Sequence, residues 1–322
     1  MAKIKTPTLL VHGHAASGIF YHRDFEQLSQ NFQKLYAIDF PDIGLSDRKP
    51  LKIEPTTTTT SIKKLENGDL QYSIIQDNAK IAKSINKVED YYIESMEQWR
   101  QEHNFSQMNI VAHSFGGYIS FKYCLKYPQH VKKLILVSPG GVERSIFSIH
   151  NSQTKGIVIP DPSSSHYYRN PFLPPIVTKY GFKLLKMLGP LGIRLISKYL
   201  SIRFSRGVKP GHEEQVKDLL QYTMNLFYQD NNSFDALKVL LNAQLLAPSP
   251  ILDNLNQLKN PVYFMYGQHD WMNSNAGLAA TNELQRVYKS AKFGIIKDAG
   301  HNVFLDNPDD FDKEVINYLR EE

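Results

Sequence analysis

With 322 residues, 42% of them hydrophobic and 21% charged, the chain has the makeup of a soluble globular protein long enough for one large α/β domain with an insertion. No run of 18 apolar residues exists, so no membrane span is expected, and the opening MAKIKTPTLLVHG lacks the apolar stretch of a secretory signal. The net charge of +5 is local: nine Lys or Arg and no Asp or Glu lie between Pro162 and His212, whereas acidic residues outnumber basic ones elsewhere.

In chain order, six short apolar runs read as strands: Thr8–Val11, Lys34–Ile38, Asn109–Ala112, Lys133–Val137, Val262–Tyr266 and Phe293–Lys297. Most are continuous rather than alternating, as strands buried on both faces of a parallel sheet are. Helical patterns lie between them. Ile81, Ile85, Val88, Tyr92, Met96 and Trp99 recur at close to 3.6 residues. Near the end, DNPDDFDKEVINYL offers Asn307 as N-cap, Pro308 in the first turn and two aspartates that suit the helix dipole. This alternation predicts an α/β fold with a doubly wound sheet.

Two segments break the alternation. Residues 51–76, centred on EPTTTTTSIKK, are polar and of low complexity, and read as a largely disordered surface insertion without chemistry. Residues 142–250, Pro-rich and then helical, read as a cap inserted between the two parts of one core, 1–141 and 251–322. The single cysteine, Cys124, lies among apolar helix residues. It reads as a packing residue, excludes an internal disulfide and suits an intracellular setting.

The stretch IVAHSFGG carries the first chemical signal. Ser114 stands on the turn between a strand and a helix, with Ala112 and Gly116 supplying small residues two positions to either side. That is the spacing of a nucleophile elbow with Ala in place of the first Gly. An isolated match is weak, since a capping serine would explain it equally well. A nucleophilic serine also needs a base, a group that orients the base, and an oxyanion hole. Asp270 follows the strand VYFMYG within QHDWM, and His301 follows FGIIKD within AGH. Carboxyl ends of parallel strands open on one edge of a sheet, and the order Ser114, Asp270, His301 is that of the α/β-hydrolase triad. After the first strand, LLVHGHAASG makes a turn from which the main-chain N–H of His14, with that of Phe115, is expected to hold an oxyanion. Taken singly, His301 reads as a surface histidine and Asp270 as a helix cap. Their joint placement at strand ends, in that order, points to a serine hydrolase of α/β-hydrolase architecture.

No metal or cofactor is expected. His12 and His14 lie in a Gly/Ala turn with no Asp, Glu or Cys at ligand spacing. Phosphate-binding Gly-Lys-Ser/Thr loops and the dinucleotide glycine fingerprint are missing. The basic segment is rich in apolar residues and accompanied by no recognition motif, so nucleic acid is not an expected partner.

These residues resemble the ABHD4/ABHD5 branch of the α/β-hydrolases, together with the yeast cardiolipin-specific deacylases. The resemblance rests on VHGHAASGIF, YAIDFPDIGLSDR, the block from ESMEQW to SPGGV, LGPLGIRL, YGQHDWM and GHNVFLDNP, and covers most of the chain outside the Thr-rich insertion. It implies an α/β-hydrolase fold with a helical cap. It also implies glycerophospholipid or N-acyl-phospholipid substrates, cleaved through Ser114, His301 and Asp270 by way of an acyl-enzyme. A second implication is lysophosphatidic acid acyltransfer from acyl-CoA, because His301 and Asp306 show the His-x-x-x-x-Asp spacing of such acyltransferases. On the residues themselves, His301 is already needed by Ser114, and Asp306 precedes an Asn-Pro helix start where an acidic group has a structural place. Members with Asn at the nucleophile position act as non-catalytic lipase co-activators at lipid surfaces; the serine here favours catalysis. Epoxide hydrolases and haloalkane dehalogenases share the fold but need Asp at position 114. The family carries two strands before the HG turn, whereas eleven residues precede His12 here. The sheet is therefore expected to lack its N-terminal edge strands, or the chain to be a truncated form.

The basic segment falls within the cap. In PLGIRLISKYLSIRF, Ile193, Ile196 and Leu200 are expected on one helical face and Arg194, Lys198 and Ser201 on another. Two readings stand: residues 182–206 engage an anionic membrane or lipid-droplet surface, or the helix packs its apolar face on the core with its charges in water. The expected setting is cytoplasmic or peripheral on membranes or droplets, with mitochondria as a further location.

Overall fold

The computed structural model describes residues 3–171, 187–204, 213–228, 233–287 and 289–320. Its strands are β1 (Thr8–Val11), β2 (Leu35–Ile38), β3 (Thr58–Lys64), β4 (Leu70–Gln76), β5 (Met108–His113), β6 (Val131–Val137), β7 (Lys155–Ile157), β8 (Val262–Gly267) and β9 (Ala291–Ile296). Its helices are α1 (Phe25–Asn31), α2 (Asn78–Glu102), α3 (Phe115–Lys126), α4 (Pro190–Phe204), α5 (Glu213–Tyr228), α6 (Ser233–Leu240), α7 (Ile251–Asn254), α8 (Ser274–Arg286), α9 (Val303–Asp306) and α10 (Pro308–Arg320).

The six apolar runs form one sheet in the order β2-β1-β5-β6-β8-β9, with every neighbouring pair parallel. The central strands β1, β5 and β8 are buried throughout, whereas the edge strands β2 and β9 are mostly half-buried. From β1 the chain first winds outward to β2, then returns to place β5 on the other side of β1. Strand order reverses there, and a crevice opens at the carboxyl ends of β1 and β5.

α2 follows its periodicity: Ile81, Ile85, Val88, Tyr92 and Met96 are buried, and Trp99 packs partly buried against the core. The Asp77 carboxylate caps it by accepting the Lys80 N–H at 3.0 Å. Asn307 caps α10 in the same way, its side-chain oxygen accepting the Asp310 N–H at 3.3 Å. Asp24, buried at the N-cap of α1, faces Asp312 of α10. Burial and the neighbouring Asp312 charge hold Asp24 protonated far above the usual carboxylate range, and burial pushes Asp312 up to about 8. Cys124 is buried on α3, where desolvation pushes its thiol well above the ordinary range.

The expectation of a largely disordered insertion at 51–76 is overturned. β3 and β4 form an antiparallel hairpin, and β4 pairs on its other side with β7, making a separate three-stranded sheet. Asn67-Gly68 forms the tip, with Gly68 at φ +91°, a conformation glycine adopts without strain. Thr58 and Thr59 stay exposed and Thr60 is half-buried, while β4 turns Tyr72 and Ile74 inward. There they join Ile146, Phe147, Tyr167 and Leu246 in a second small core. The β-branched threonines suit an exposed strand, and the alternation in LQYSIIQ supplies the buried face. Thr-rich composition had hidden both signals.

Candidate active site

Ser114 joins β5 to α3 at φ 53°, ψ −115°, a left-handed backbone held open to a side-chain-bearing residue only because its neighbours over-determine it. Its N–H donates to the Val137 carbonyl at 2.9 Å, and its own carbonyl accepts the Gly140 N–H at 3.1 Å, tying the turn to the end of β6. No side chain fits at Gly116, because a Cβ there would run into the His12 carbonyl oxygen. A Cβ at Gly13 would lie 3.0 Å from that of Ser114 and 2.7 Å from His113 Nδ1. The turn after β1 therefore presses against the serine from one side. Behind it, α3 is fastened to α2 and to the chain returning from the insertion. Tyr118 donates to Glu89 at 2.6 Å, and Lys122 donates to Ser249 Oγ at 2.7 Å. Burial lowers the Lys122 pKa, against the pull of Glu89.

The three expected side chains meet. His301 Nε2 lies 3.1 Å from Ser114 Oγ, and His301 Nδ1 lies 3.0 Å from Asp270 Oδ1. A carboxylate only accepts, so the Nδ1–H donates to Asp270 and leaves Nε2 as acceptor for the serine O–H. Both His301 and Asp270 are nearly withdrawn from water, with side chains 7% and 1% exposed. Asp270 is held in turn by the Met272 N–H at 3.0 Å. The two loops that carry it and His301 are zipped together. His269 N–H donates to Ala299, Gln268 N–H donates to Ile296, and a Cβ at Gly267 would strike the Gly300 carbonyl. The Trp271 ring lies 4.5 Å from the His301 ring and is half exposed.

Phe115 opens α3, so its N–H has no acceptor within the helix. His14 sits on the turn that Gly13 presses against Ser114, and its ring meets those of Phe234 at 4.6 Å and Phe115 at 6.4 Å. Both residues named for an oxyanion hole are thus beside the serine. Apolar side chains stand over the same turn: Leu241 Cδ1 from the insertion and Met272 Cε from the loop after β8 are the nearest side-chain atoms to the Gly140 position.

Sequence reasoning did not single out His113, and for His12 and Asp306 it did not find the bonds they make. His113, adjacent to the serine, donates its Nε2–H to the His301 carbonyl at 2.8 Å. Asp306 accepts the Gly300 N–H at 2.7 Å. His12 donates from Nδ1 to the Gly13 carbonyl at 2.7 Å and accepts the Phe40 N–H on Nε2 at 3.0 Å. Both its nitrogens are engaged within the backbone, and burial holds it neutral by lowering its pKa. Nothing in the local sequence marks these side-chain-to-backbone bonds. Among the described residues no group of three His, Cys, Asp or Glu is arranged to hold a metal ion.

The parallel sheet, the strained serine turn at its crossover and the inserted helical segment define an α/β-hydrolase. The chain belongs to that family, whose pattern, described as the alpha/beta hydrolase fold, matches residues 6–308. Among its relatives, 1-acylglycerol-3-phosphate O-acyltransferase ICT1 of Saccharomyces cerevisiae is 37% identical over 98% of this chain and 82% of its own length. Protein ECM18 of the same yeast is 36% identical over 99% of this chain and 72% of its own length. The human (Lyso)-N-acylphosphatidylethanolamine lipase is 22% identical over 97% of this chain and 78% of its own length. Among solved structures, an esterase from Exiguobacterium antarcticum superimposes with a TM-score of 0.61 at 14% identity, covering 98% of this chain and 92% of the esterase. That likeness speaks to the fold.

Proposed function

We propose that this protein is a serine acyl hydrolase or transferase acting on phospholipids, with Ser114 as nucleophile, His301 as base and Asp270 as the group that orients it. The observation that carries the reading is the unbroken hydrogen-bonded line from Ser114 Oγ through His301 to Asp270. His301 Nε2 takes the serine proton as Oγ attacks an acyl carbonyl. The His14 and Phe115 main-chain N–H groups receive the oxyanion, each such donor contributing about 10²–10³ in rate. Collapse expels the deacylated lipid, protonated by His301, and leaves an acyl-serine.

The fate of the acyl group depends on the acceptor. Water yields a fatty acid; the hydroxyl of a lysophospholipid yields a new diacyl lipid from the same intermediate. The name of the 37% identical yeast relative favours 1-acylglycerol-3-phosphate, a lysophosphatidate, as acceptor, and that of the human relative favours hydrolysis. A non-catalytic co-activator role is the weaker reading, because the serine and its hydrogen-bonded partners are present. Ser114→Ala is expected to fold normally, to lose labelling by a fluorophosphonate probe, and to lose both release and transfer of a labelled acyl chain from phospholipid or acyl-CoA. Turnover retained by the folded variant sinks the assignment.

Residues of the insertion support a peripheral site of action at a lipid surface. α4 packs inward through Gly192, Ile196 and Leu200, which are buried. Ile193, expected on that buried face, lies outside it, because 100° per residue carries it past the four-residue stripe. Met187, Leu188, Leu191, Ile193 and Leu195 are all 41–75% exposed, beside the exposed cations Arg194 and Lys198. Lys179, Lys183, Lys186, Arg206 and Lys209 lie outside the described residues. A packed cap helix accounts for the inner stripe but not for five large apolar groups turned to water. An anionic lipid surface matches both them and the cations. Flotation with phosphatidylcholine vesicles, with and without phosphatidylserine, tests this: binding that ignores anionic lipid removes the electrostatic part of the reading.

A further inference from the structure

We infer that Asp306 is a positioning residue that holds the His301 loop by its backbone, and that His301 and Asp306 do not form an acid–base dyad of their own. The inference rests on the proposed role of His301. The ring must present one nitrogen to Ser114 and the other to Asp270, yet it stands in a loop between β9 and α9 with no regular backbone ladder to fix it. Two side chains supply what a ladder would. The Ala299–Gly300 peptide, one residue ahead of His301, is held at its N–H end, where Gly300 donates to Asp306 Oδ2 at 2.7 Å. The peptide following His301 is held at its carbonyl end, where His301 accepts from His113 Nε2 at 2.8 Å. One anchor comes from the helix that follows the loop, the other from the strand that carries the nucleophile. The loop therefore cannot shift along the sheet edge without breaking one of them.

The five-residue spacing from His301 to Asp306 follows from this geometry. Asn302 accepts the Asp306 N–H at 2.9 Å, closing one helical turn that brings the Asp306 carboxylate back beneath Gly300. Asp306 is buried there, and the Arg23 charge acts on it, while Arg23 itself donates to the Leu305 carbonyl. Pairing Asp306 with the imidazole would require Nδ1, and Nδ1 is already engaged by Asp270 at 3.0 Å. What the site takes from Asp306 is an acceptor oxygen.

An acceptor role and an acid–base role separate in two substitutions. Asp306→Asn keeps an oxygen for the Gly300 N–H and is expected to retain kcat within about threefold, whereas Asp306→Ala is expected to lose about 10²-fold in kcat, the order of effect of a small misplacement, with KM within about twofold. Hydrolysis of a soluble nitrophenyl ester and transfer of a labelled acyl chain to lysophosphatidate should fall by the same factor. Hydrogen exchange at Gly300 should accelerate in the Ala variant and stay near wild type in the Asn variant; this readout needs no activity and holds whether or not the Ser114 chemistry is correct. An Asn variant as inactive as Ala, with the Gly300 amide still protected, overturns the inference, and so does loss of acyl transfer alone with hydrolysis intact. Should Asp306→Ala fail to fold, the Asn variant still decides between the two roles. Wild-type protein that resists a fluorophosphonate refutes the proposed function instead, leaving the exchange result to judge the clamp.

Discussion

The strand-end site and the outer face of α4 are built on opposite plans. Around Ser114, Gly13, Gly116 and Gly267 stand where any side chain would collide with backbone or with the neighbouring loop, and peptide groups on either side of His301 are tied by named partners. On α4, one stripe anchors the helix and the residues beside it point their apolar groups into water. The contrast teaches a division of labour. Fixed geometry belongs where a proton must pass between heavy atoms about 3 Å apart (an ordinary hydrogen-bond length), whereas a lipid-facing surface needs apolar area and positive charge but no particular register.

The largest expected effect strikes the rigid half. Asp270→Asn should leave the fold intact but cost about 10⁴-fold in kcat, since an amide supports the wrong imidazole tautomer; a loss below tenfold on a soluble ester would separate Asp270 from the chemistry. Next comes Gly116→Ala. Its new methyl would meet the His12 carbonyl, with an overpacking cost of about 1–3 kcal/mol read by denaturant titration. An unchanged midpoint would mean the elbow has slack that the contrast denies it.

A smaller effect concerns the paired carboxyls of Asp24 and Asp312, where α1 meets α10. An unfolded aspartate gives up its proton near 3.8, while buried Asp312 in the folded protein holds its own up to about 8. The folded state therefore binds more protons across that window, and its stability declines as pH rises from about 4 to about 8. Asp312→Asn should raise Tm by a few degrees at pH 8 and flatten the decline; equal shifts at pH 4 and pH 8 would remove the linkage. Smallest for stability, and confined to the cap, is Leu191→Ser with Leu195→Ser. These surface changes should move stability by no more than about 0.5 kcal/mol, leave soluble-ester turnover alone and weaken vesicle binding several-fold. Loss of soluble-ester turnover would show that the two regions are not independent.

The sequence made part of this legible. Continuous apolar runs marked the six strands to within a few residues at their ends, and chain order with strand-end position brought Ser114, Asp270 and His301 together. Those signals are local, or follow from how parallel strands must run. Other features depend on partners distant in the chain. Asp24 and Asp312 meet only because α1 and α10 pack together, and Tyr72 becomes a core residue only because Phe147 and Tyr167 arrive from beyond β6. Bonds from His12, His113 and Asp306 to backbone groups leave no periodic trace. Ile193 fails for a different reason: apolar character predicts burial, and on α4 apolar residues lie both on the buried stripe and beside it in water.

The burial of Cys124 has a practical corollary. With its sole thiol shut inside α3 and kept un-ionised, the native protein offers maleimides almost nothing to attack. A cysteine introduced at Leu195 would then be the one addressable position, and a polarity-sensitive dye attached there would report, by its emission alone, the moment the helix leaves water for lipid.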